Sequence, residues 1–178
     1  AAGRLGIAAE FTTETELPFK VLGAVKFPNQ ARFHPLKFIQ GICQELNIYE
    51  HTKAWEIKDK TVICKDALIK AQHIVIATHF PFINTPGYYF LRLYQSRSYV
   101  LALENAQQMQ GMYVDEETDG LSFRNHQNLL LLGGFDHRTG ESDKSPGFKG
   151  LRETAKRLYP NAKEVAAWAT QDCMPLDD

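Results

Sequence analysis

A histidine and an arginine stand side by side just after the most apolar stretch of the sequence. Leu129 to Leu132 is followed by Gly133-Gly134 and then by a polar run in which His137 and Arg138 are neighbours. Small residues at the end of an apolar strand are typical of places where the backbone passes close to another group or strand. Because loops often carry binding residues, we expect His137 and Arg138 to reach a substrate anion. The alternative is a pair of solvent-exposed charges.

Other common kinds of site lack their residues in this sequence. The three cysteines, Cys43, Cys64 and Cys173, are far apart and form no Cys-x-x-Cys pair, and there is no His-x-x-x-His spacing. These observations favour neither a zinc site nor a disulfide framework. There is also no G-x-S-x-G nucleophile motif. We therefore predict no metal site, and the sequence identifies no catalytic side chain.

Composition limits the partners of the protein. The chain has 178 residues, 20 basic and 21 acidic side chains, a formal net charge of -1 and 44% hydrophobic residues. This is ordinary globular composition without the basic footprint of a nucleic-acid-binding protein. The longest apolar runs fall short of the roughly 20 residues of a membrane helix. We expect a soluble, cytoplasmic protein with a small-molecule substrate. Since no initiator Met opens the chain, we also expect a piece of a longer protein, with segments missing on both sides.

The first half of the sequence alternates strands with one helix. One or two strands are predicted within residues 5–27, and Pro35 begins a helix that Asn47 ends. A short strand at Ile48-Tyr49 is followed by a β-meander that turns at Asp59-Lys60. The run Ile74-Val75-Ile76-Ala77 is apolar at every position, which suits a strand buried on both faces of a parallel sheet.

The second half predicts an antiparallel sheet and one helix. Its predicted strands are Arg97 to Leu103, Gly111 to Asp115, Leu121 to Asn125, Leu129 to Gly134 and Glu164 to Thr170. Apolar residues recur at helical spacing from Phe148 to Tyr159, before Pro160. The predicted fold class is therefore α+β, with a largely antiparallel sheet.

Four stretches together resemble a known family. They are Ile74-Val-Ile-Ala-Thr-His79, Gln95-Ser-Arg-Ser-Tyr-Val-Leu101, Leu129 to Gly134 and Trp168 to Asp177. In this order they are similar to the "v-I-v-A-t-G", "x-x-R-G-Q-x-L", "l-x-l-G-G" and "W-x-G-x-R-P-x-T-P-D" segments of FAD-dependent oxidoreductases of the D-amino-acid oxidase type. The resemblance spans nearly the whole chain. It is strongest to an uncharacterised bacterial branch carrying "F-P-N-Q-A-x-F-H-P" and "A-T-H-F-P-F-I-N", some members of which continue into a Rieske-type iron–sulfur domain.

The resemblance implies FAD as the cofactor and suggests which residues contact it. By analogy, backbone groups of Ala54 meet the adenine, and Ala77, Thr78 and His79 lie beside the ADP half. The family has glycine where this chain has His79, so either the ligand path is displaced or the imidazole is itself a contact. Gly133 and Gly134 would let the backbone approach the isoalloxazine or a neighbouring strand. The Gly-rich turn that binds the FAD pyrophosphate is absent from this sequence.

The sharpest departure from the family pattern is Asp172. In amino-acid oxidases of this type an arginine at that position pairs with the substrate carboxylate, and an aspartate cannot do so because it only accepts hydrogen bonds. An ordinary amino-acid substrate is therefore disfavoured. Asp172 would instead contact an amine or hydroxyl of the substrate, or cap a loop.

We interpret the chain as the central part of an FAD-dependent oxidoreductase. Residues 1–26 and 87–178 would form a substrate-binding sheet region, and residues 27–86 part of the FAD-binding region, comprising the helix, the meander and the buried strand. The parent would oxidise a C–N or C–O bond with hydride transfer to flavin, and this piece alone would be inactive. The alternatives are a non-catalytic scaffold with the same fold and a dehydrogenase that passes electrons to an iron–sulfur domain.

Overall fold

The structure, a computed structural model, describes residues 2–85, 87–117, 120–141 and 145–176. The chain divides by spatial proximity into two compact units. Unit 1 comprises Ala1–Thr15 and Val21–Ile76, and unit 2 comprises Glu16–Lys20 and Ala77–Asp178. The assignment of residues 27–86 to a cofactor region and of the rest to a substrate region concerns function, and it stays a prediction.

Unit 1 contains short elements joined by tight turns. In chain order they are a 3-10 helix Ala2–Leu5, β1 Glu10–Thr12, β2 Ala24–Lys26, α1 Pro35–Ile42, β3 Ala54–Lys58, β4 Thr61–Cys64 and β5 Leu68–Lys70. Strands β1 and β2 pair antiparallel, and β3-β4-β5 form an antiparallel sheet. The predicted meander is confirmed. Asp59 and Lys60 both have positive φ, which suits the tight turn of a right-twisted hairpin.

The helix of unit 1 begins as predicted and ends early. Pro35 is its first residue, where a missing N–H costs nothing, and Nδ1 of His34 accepts a 3.3 Å hydrogen bond from the Lys37 N–H. The helix ends at Ile42 with Cys43 as its cap, instead of continuing to Asn47. Its apolar side chains are exposed, and Cys64 is the one buried apolar side chain among the described residues of unit 1.

Two predicted strands are absent, so the expectation of one buried parallel strand was wrong. Residues 74–77 have no strand conformation, and 86% of Val75 is exposed. Ile48-Tyr49 does not form a strand either. A β-strand needs at least one neighbouring strand to pair with. Within the described ranges no strand pairs with this run, because the meander sheet ends at β5.

Unit 2 is built on one antiparallel sheet with a helix against it. After a 3-10 helix Tyr89–Leu91 come β6 Leu93–Glu104, β7 Tyr113–Val114, β8 Ser122–His126, β9 Leu129–Arg138, α2 Gly147–Leu158 and β10 Lys163–Pro175. The strand order is β10-β6-β9-β8-β7, and every pairing is antiparallel. The predicted fold class, α+β with a largely antiparallel sheet, is confirmed.

The core lies between one face of this sheet and α2. Side chains alternate along each strand, so Leu101 and Leu103 of β6 share a face with their partners Leu132 and Leu130 of β9. These leucines are at most 2% exposed and pack with the fully buried Leu151 of α2. We call this the helix face. The other face, which we call the open face, carries Ser96, Ser98 and Val100 of β6 with their partners Asp172, Thr170, Trp168, Arg138, Gly133 and Ser122.

Glu16 fastens a crossing segment of the chain to unit 2. Its carboxylate accepts hydrogen bonds from the N–H groups of Gln110 (2.9 and 3.0 Å) and Gly111 (3.1 Å) and from the hydroxyl of Tyr113 (2.9 Å). The bond from Gln110 does most to lower the pKa of Glu16, and those from Gly111 and Tyr113 add to it against a partial burial that raises it. Residues 16–20 thereby join unit 2, although the residues on either side belong to unit 1.

Candidate functional site

Two predicted substrate-binding residues lie in one row across the open face. In the sheet register Ser96 of the central strand β6 pairs with Asp172 on one side and with Arg138 on the other. Two strand spacings place the α-carbons of Asp172 and Arg138 about 10 Å apart. Both side chains are exposed. The row therefore presents one cationic and one anionic group to the same side of the sheet, with a serine between them.

Arg138 is held by an aromatic ring. Its guanidinium lies 5.0 Å from the ring centroid of Tyr94, another residue of β6. This cation–π contact limits the rotamers of a long side chain without using its hydrogen-bond donors. The N–H groups of Arg138 can then bind an oxyanion.

His137 does not join this row. Alternation along β9 turns it to the helix face, where its ring stacks on Tyr99 with centroids 5.7 Å apart and planes 13° apart. Its Nδ1 is buried and has no hydrogen-bond partner in the part of the chain that the structure describes. His137 and Arg138, neighbours in sequence, are thus separated by the sheet, because the run that we expected to be a loop continues β9 to Arg138.

His79 lies beside the row, at the edge of the sheet. Its Nε2 is 2.7 Å from the backbone oxygen of Gln171, the residue before Asp172. His79 has φ of +67°, a left-handed conformation that favours glycine. Ala77 and Thr78, which precede it, are exposed, and the Thr78 hydroxyl donates to the Phe80 carbonyl (3.1 Å).

Gly133 and Gly134 are both buried within the sheet. A Cβ at Gly133 would lie 2.6 Å from the hydroxyl oxygen of Ser122. Gly134 has φ of +148°, and a Cβ there would lie 2.9 Å from the Gly120 carbonyl oxygen. The Ser122 side chain and the Gly120 backbone therefore already account for small residues at these two positions. Their predicted contact with a flavin stays a prediction.

Sequence reasoning missed a polar pair at the centre of the open face. The Ser98 hydroxyl donates a 2.7 Å hydrogen bond to Oδ2 of Asp136. Both residues line a depression of about 180 Å³, and a second depression of about 230 Å³ beside it is lined by Val100 and Trp168. The available signal was the spacing of Ser96 and Ser98, which alternates as polar side chains do on one face of a strand.

Metal-ligand clusters and long apolar helices are both missing from the described residues. Among the described residues, no three His, Cys, Asp or Glu side chains are grouped so that they could hold a metal ion. In the same ranges, no helix has the length and apolar character needed to cross a bilayer.

The chain belongs to the DAO family of FAD-dependent oxidoreductases. The family, described as "FAD dependent oxidoreductase", matches residues 2–178. The chain is also 31% identical, over 189 aligned residues, to the Bacillus subtilis (strain 168) protein named "Putative Rieske 2Fe-2S iron-sulfur protein YhfW". This alignment covers 98% of the present chain and 37% of the relative. No solved structure matches the chain.

The described residues fit part of an FAD site. Ala54 begins β3, which is an edge strand, so its outer backbone groups have no strand partner in the described ranges. A register shift between Ala54 and Glu56 opens the pairing further at that point. Free backbone donors and acceptors at a strand edge are the groups that a planar heterocycle such as adenine can bind.

Proposed function

We propose that the full-length protein is an FAD-dependent oxidoreductase that oxidises a C–N or C–O bond of a small molecule. Membership of the DAO family over residues 2–178 is the observation that carries this proposal. When bound, the flavin would accept the hydride that leaves the substrate carbon. The residues of this chain would bind the substrate, orient it and keep water away from it.

The open face would be the wall of the substrate pocket. Arg138 would bind an anionic group of the substrate, and Asp172 an ammonium or hydroxyl group on the other side of Ser96. The Ser98–Asp136 pair lies on the same face and could accept a further hydrogen bond at the carboxylate. Trp168, 39% exposed, would cover an apolar part of the substrate. An aspartate in the row disfavours substrates whose carboxylate would have to bind at that position.

The residues that would contact the cofactor are those that the family resemblance suggests. Ala54 would offer backbone groups to the adenine, and Ala77, Thr78 and His79 would lie beside the ADP half. The exposure of residues 77–79 supports this assignment, because a ligand can reach them. The pyrophosphate would require a Gly-rich turn that this sequence does not contain.

A second candidate is a dehydrogenase that passes its electrons to an iron–sulfur domain. It is supported by the printed name of the B. subtilis relative, which describes a Rieske 2Fe-2S protein. The present chain spans little more than a third of that relative, so such a domain would lie in other parts of the full-length protein.

An absorption spectrum of the purified full-length protein tests the proposal. We expect bands near about 375 and 450 nm from bound flavin. When amines and secondary alcohols are added separately without oxygen, one of the two classes should reduce the flavin and bleach the 450 nm band. Re-oxidation by oxygen would favour an oxidase, and re-oxidation only by a one-electron acceptor such as ferricyanide would favour the dehydrogenase. A folded, colourless protein that takes up no added FAD would refute both the oxidase and the dehydrogenase. The non-catalytic scaffold would then be the better explanation.

A further inference from the structure

Gln171 of β10 is bonded on two sides by residues distant in sequence. Its backbone oxygen accepts from Nε2 of His79 (2.7 Å), and its side-chain Nε2 donates to the hydroxyl of Thr139 (2.8 Å). The Thr139 N–H donates in turn to the Gln95 carbonyl of β6 (2.8 Å). We propose that His79, Gln171 and Thr139 form a positioning clamp, which joins the 77–79 segment to the strand that carries Asp172.

The clamp fixes the tautomer of His79. A carbonyl oxygen can only accept a hydrogen bond, so Nε2 of His79 must carry the proton. Both the neutral Nε2–H form and the protonated ring satisfy this condition. The clamp therefore requires only that Nε2 carries a proton.

The backbone of His79 has a conformation that glycine adopts more easily than other residues. A non-glycine residue at φ of +67° is strained, whereas glycine would adopt this conformation freely. The imidazole offsets that strain with a hydrogen bond that glycine cannot make.

The clamp lies directly behind the charged row. Asp172 follows Gln171 in β10, so alternation places their side chains on opposite sides of that strand. Thr139 follows Arg138, the last residue of β9. The Gln171–Thr139 bond connects β10 to the end of β9 across β6. This bond therefore spans the same three strands as the charged row.

The functional part of this inference rests on the proposed function. There, residues 77–79 contact FAD and the Asp172 row contacts the substrate. The clamp would hold the cofactor segment and the substrate strand at a fixed distance. His79 would act as a positioning residue, since its side chain is bonded to Gln171 and leaves the chemistry to other groups.

The test compares three variants of the full-length protein. His79→Gly removes the donor and relieves the backbone strain, so it should fold as well as wild type. His79→Gln keeps an N–H donor. Gln127→Gly is the matched control, because Gln127 also has positive φ and lies in an exposed turn at the far end of β9. FAD titration of each apoprotein, followed by flavin fluorescence, gives the dissociation constants, and ¹⁵N NMR of the imidazole reports the tautomer.

We expect wild-type His79 to show the Nε2–H tautomer with a proton protected from exchange. His79→Gly should weaken FAD binding by a few-fold to about tenfold, the range that one net hydrogen bond spans. His79→Gln should restore binding to within about twofold of wild type, and Gln127→Gly should not change it.

Two results would overturn the clamp. An Nδ1–H tautomer, or an Nε2 proton in fast exchange, would show that the bond to Gln171 is not formed. Wild-type FAD affinity in His79→Gly would show that the bond does not position the cofactor segment. If the wild-type protein itself bound no FAD, the proposed function would fail together with the positioning role, while the NMR measurement would still decide whether the bond exists.

Discussion

Replacement of Glu16 by glutamine should destabilise unit 2 at neutral pH. The Glu16 carboxylate accepts from three donors, the N–H groups of Gln110 and Gly111 and the hydroxyl of Tyr113. Glutamine keeps one acceptor oxygen, and its NH₂ group would face donors in place of the second oxygen.

The expected loss follows from these contacts. A hydrogen bond to a charged group contributes about 1.5–3 kcal/mol, and the loss of several would exceed this range. Glu16 is only half-buried, so water replaces part of each bond. The carbonyl oxygen of glutamine can still accept part of the hydrogen bonding that the carboxylate accepts. We therefore expect the free energy of unfolding to fall by about 1–2 kcal/mol, which is a factor of about 5–30 in the folded to unfolded ratio.

The effect should depend on pH in a defined direction. The pKa of Glu16 is lowered in the folded chain, so its stabilisation is fully present above the unfolded pKa and is lost as pH falls through the folded pKa. The difference between wild type and Glu16→Gln should thus be largest near pH 7 and should shrink below about pH 4, where carboxyl groups become protonated.

Urea unfolding followed by tryptophan fluorescence measures this difference. The sequence has two tryptophans, Trp55 in unit 1 and Trp168 in unit 2, so a Trp55→Phe background reports unit 2. Glu14→Gln is the control, because Glu14 is exposed and lies two residues away. Equal stability of Glu16→Gln and wild type at pH 7, or a difference that persists unchanged at pH 3, would refute the reasoning.

Three further substitutions test the site and the core. Asp172→Arg should shift substrate preference towards carboxylate-bearing amines, because arginine can donate two hydrogen bonds to a carboxylate. Asp172→Asn removes the charge without adding such a pair of donors and should not cause this shift. An unchanged profile of Asp172→Arg across a substrate panel would show that residue 172 does not face the substrate. Leu151→Ala should lower the unfolding free energy by about 2–5 kcal/mol in thermal denaturation, because Leu151 is fully buried against the sheet; a loss below about 1 kcal/mol would contradict that packing. Gly134→Ala should cost about 1–3 kcal/mol in urea unfolding, through its positive φ and the nearby Gly120 carbonyl; wild-type stability would disprove the packing explanation for this glycine.

Local patterns in the sequence predicted most of the elements. The meander was predictable because Asp59-Lys60 specifies a turn and the flanking residues alternate. The sheet of unit 2 was predictable because each strand is bounded by turn residues. The run of residues 74–77 failed because continuous apolar character indicates burial without specifying a partner strand, and here the described residues supply none.

The arrangement of the candidate site was only partly predictable. Its place after a glycine-ended apolar strand selected Arg138, and family resemblance selected Asp172. The strand register places both in one row. No local pattern predicts that row, because it depends on which strands pair and on a register shift between Arg97 and Tyr99. His137 was expected to accompany Arg138, but strand alternation separates them once β9 is known to extend through both residues.

The pairing of β10 with β6 has a consequence for synthesis of the protein. The strand order inserts β6 between β9 and β10, although β10 follows all other described strands in the chain. One edge of β6 therefore stays unpaired until β10 has emerged from the ribosome. Contacts between residues so distant in sequence also form slowly. An unpaired edge is a template for pairing with another chain, so this interval is when the nascent protein is most exposed to aggregation. Because the last strand also brings Asp172, the closing of that edge and the assembly of the charged row are a single event.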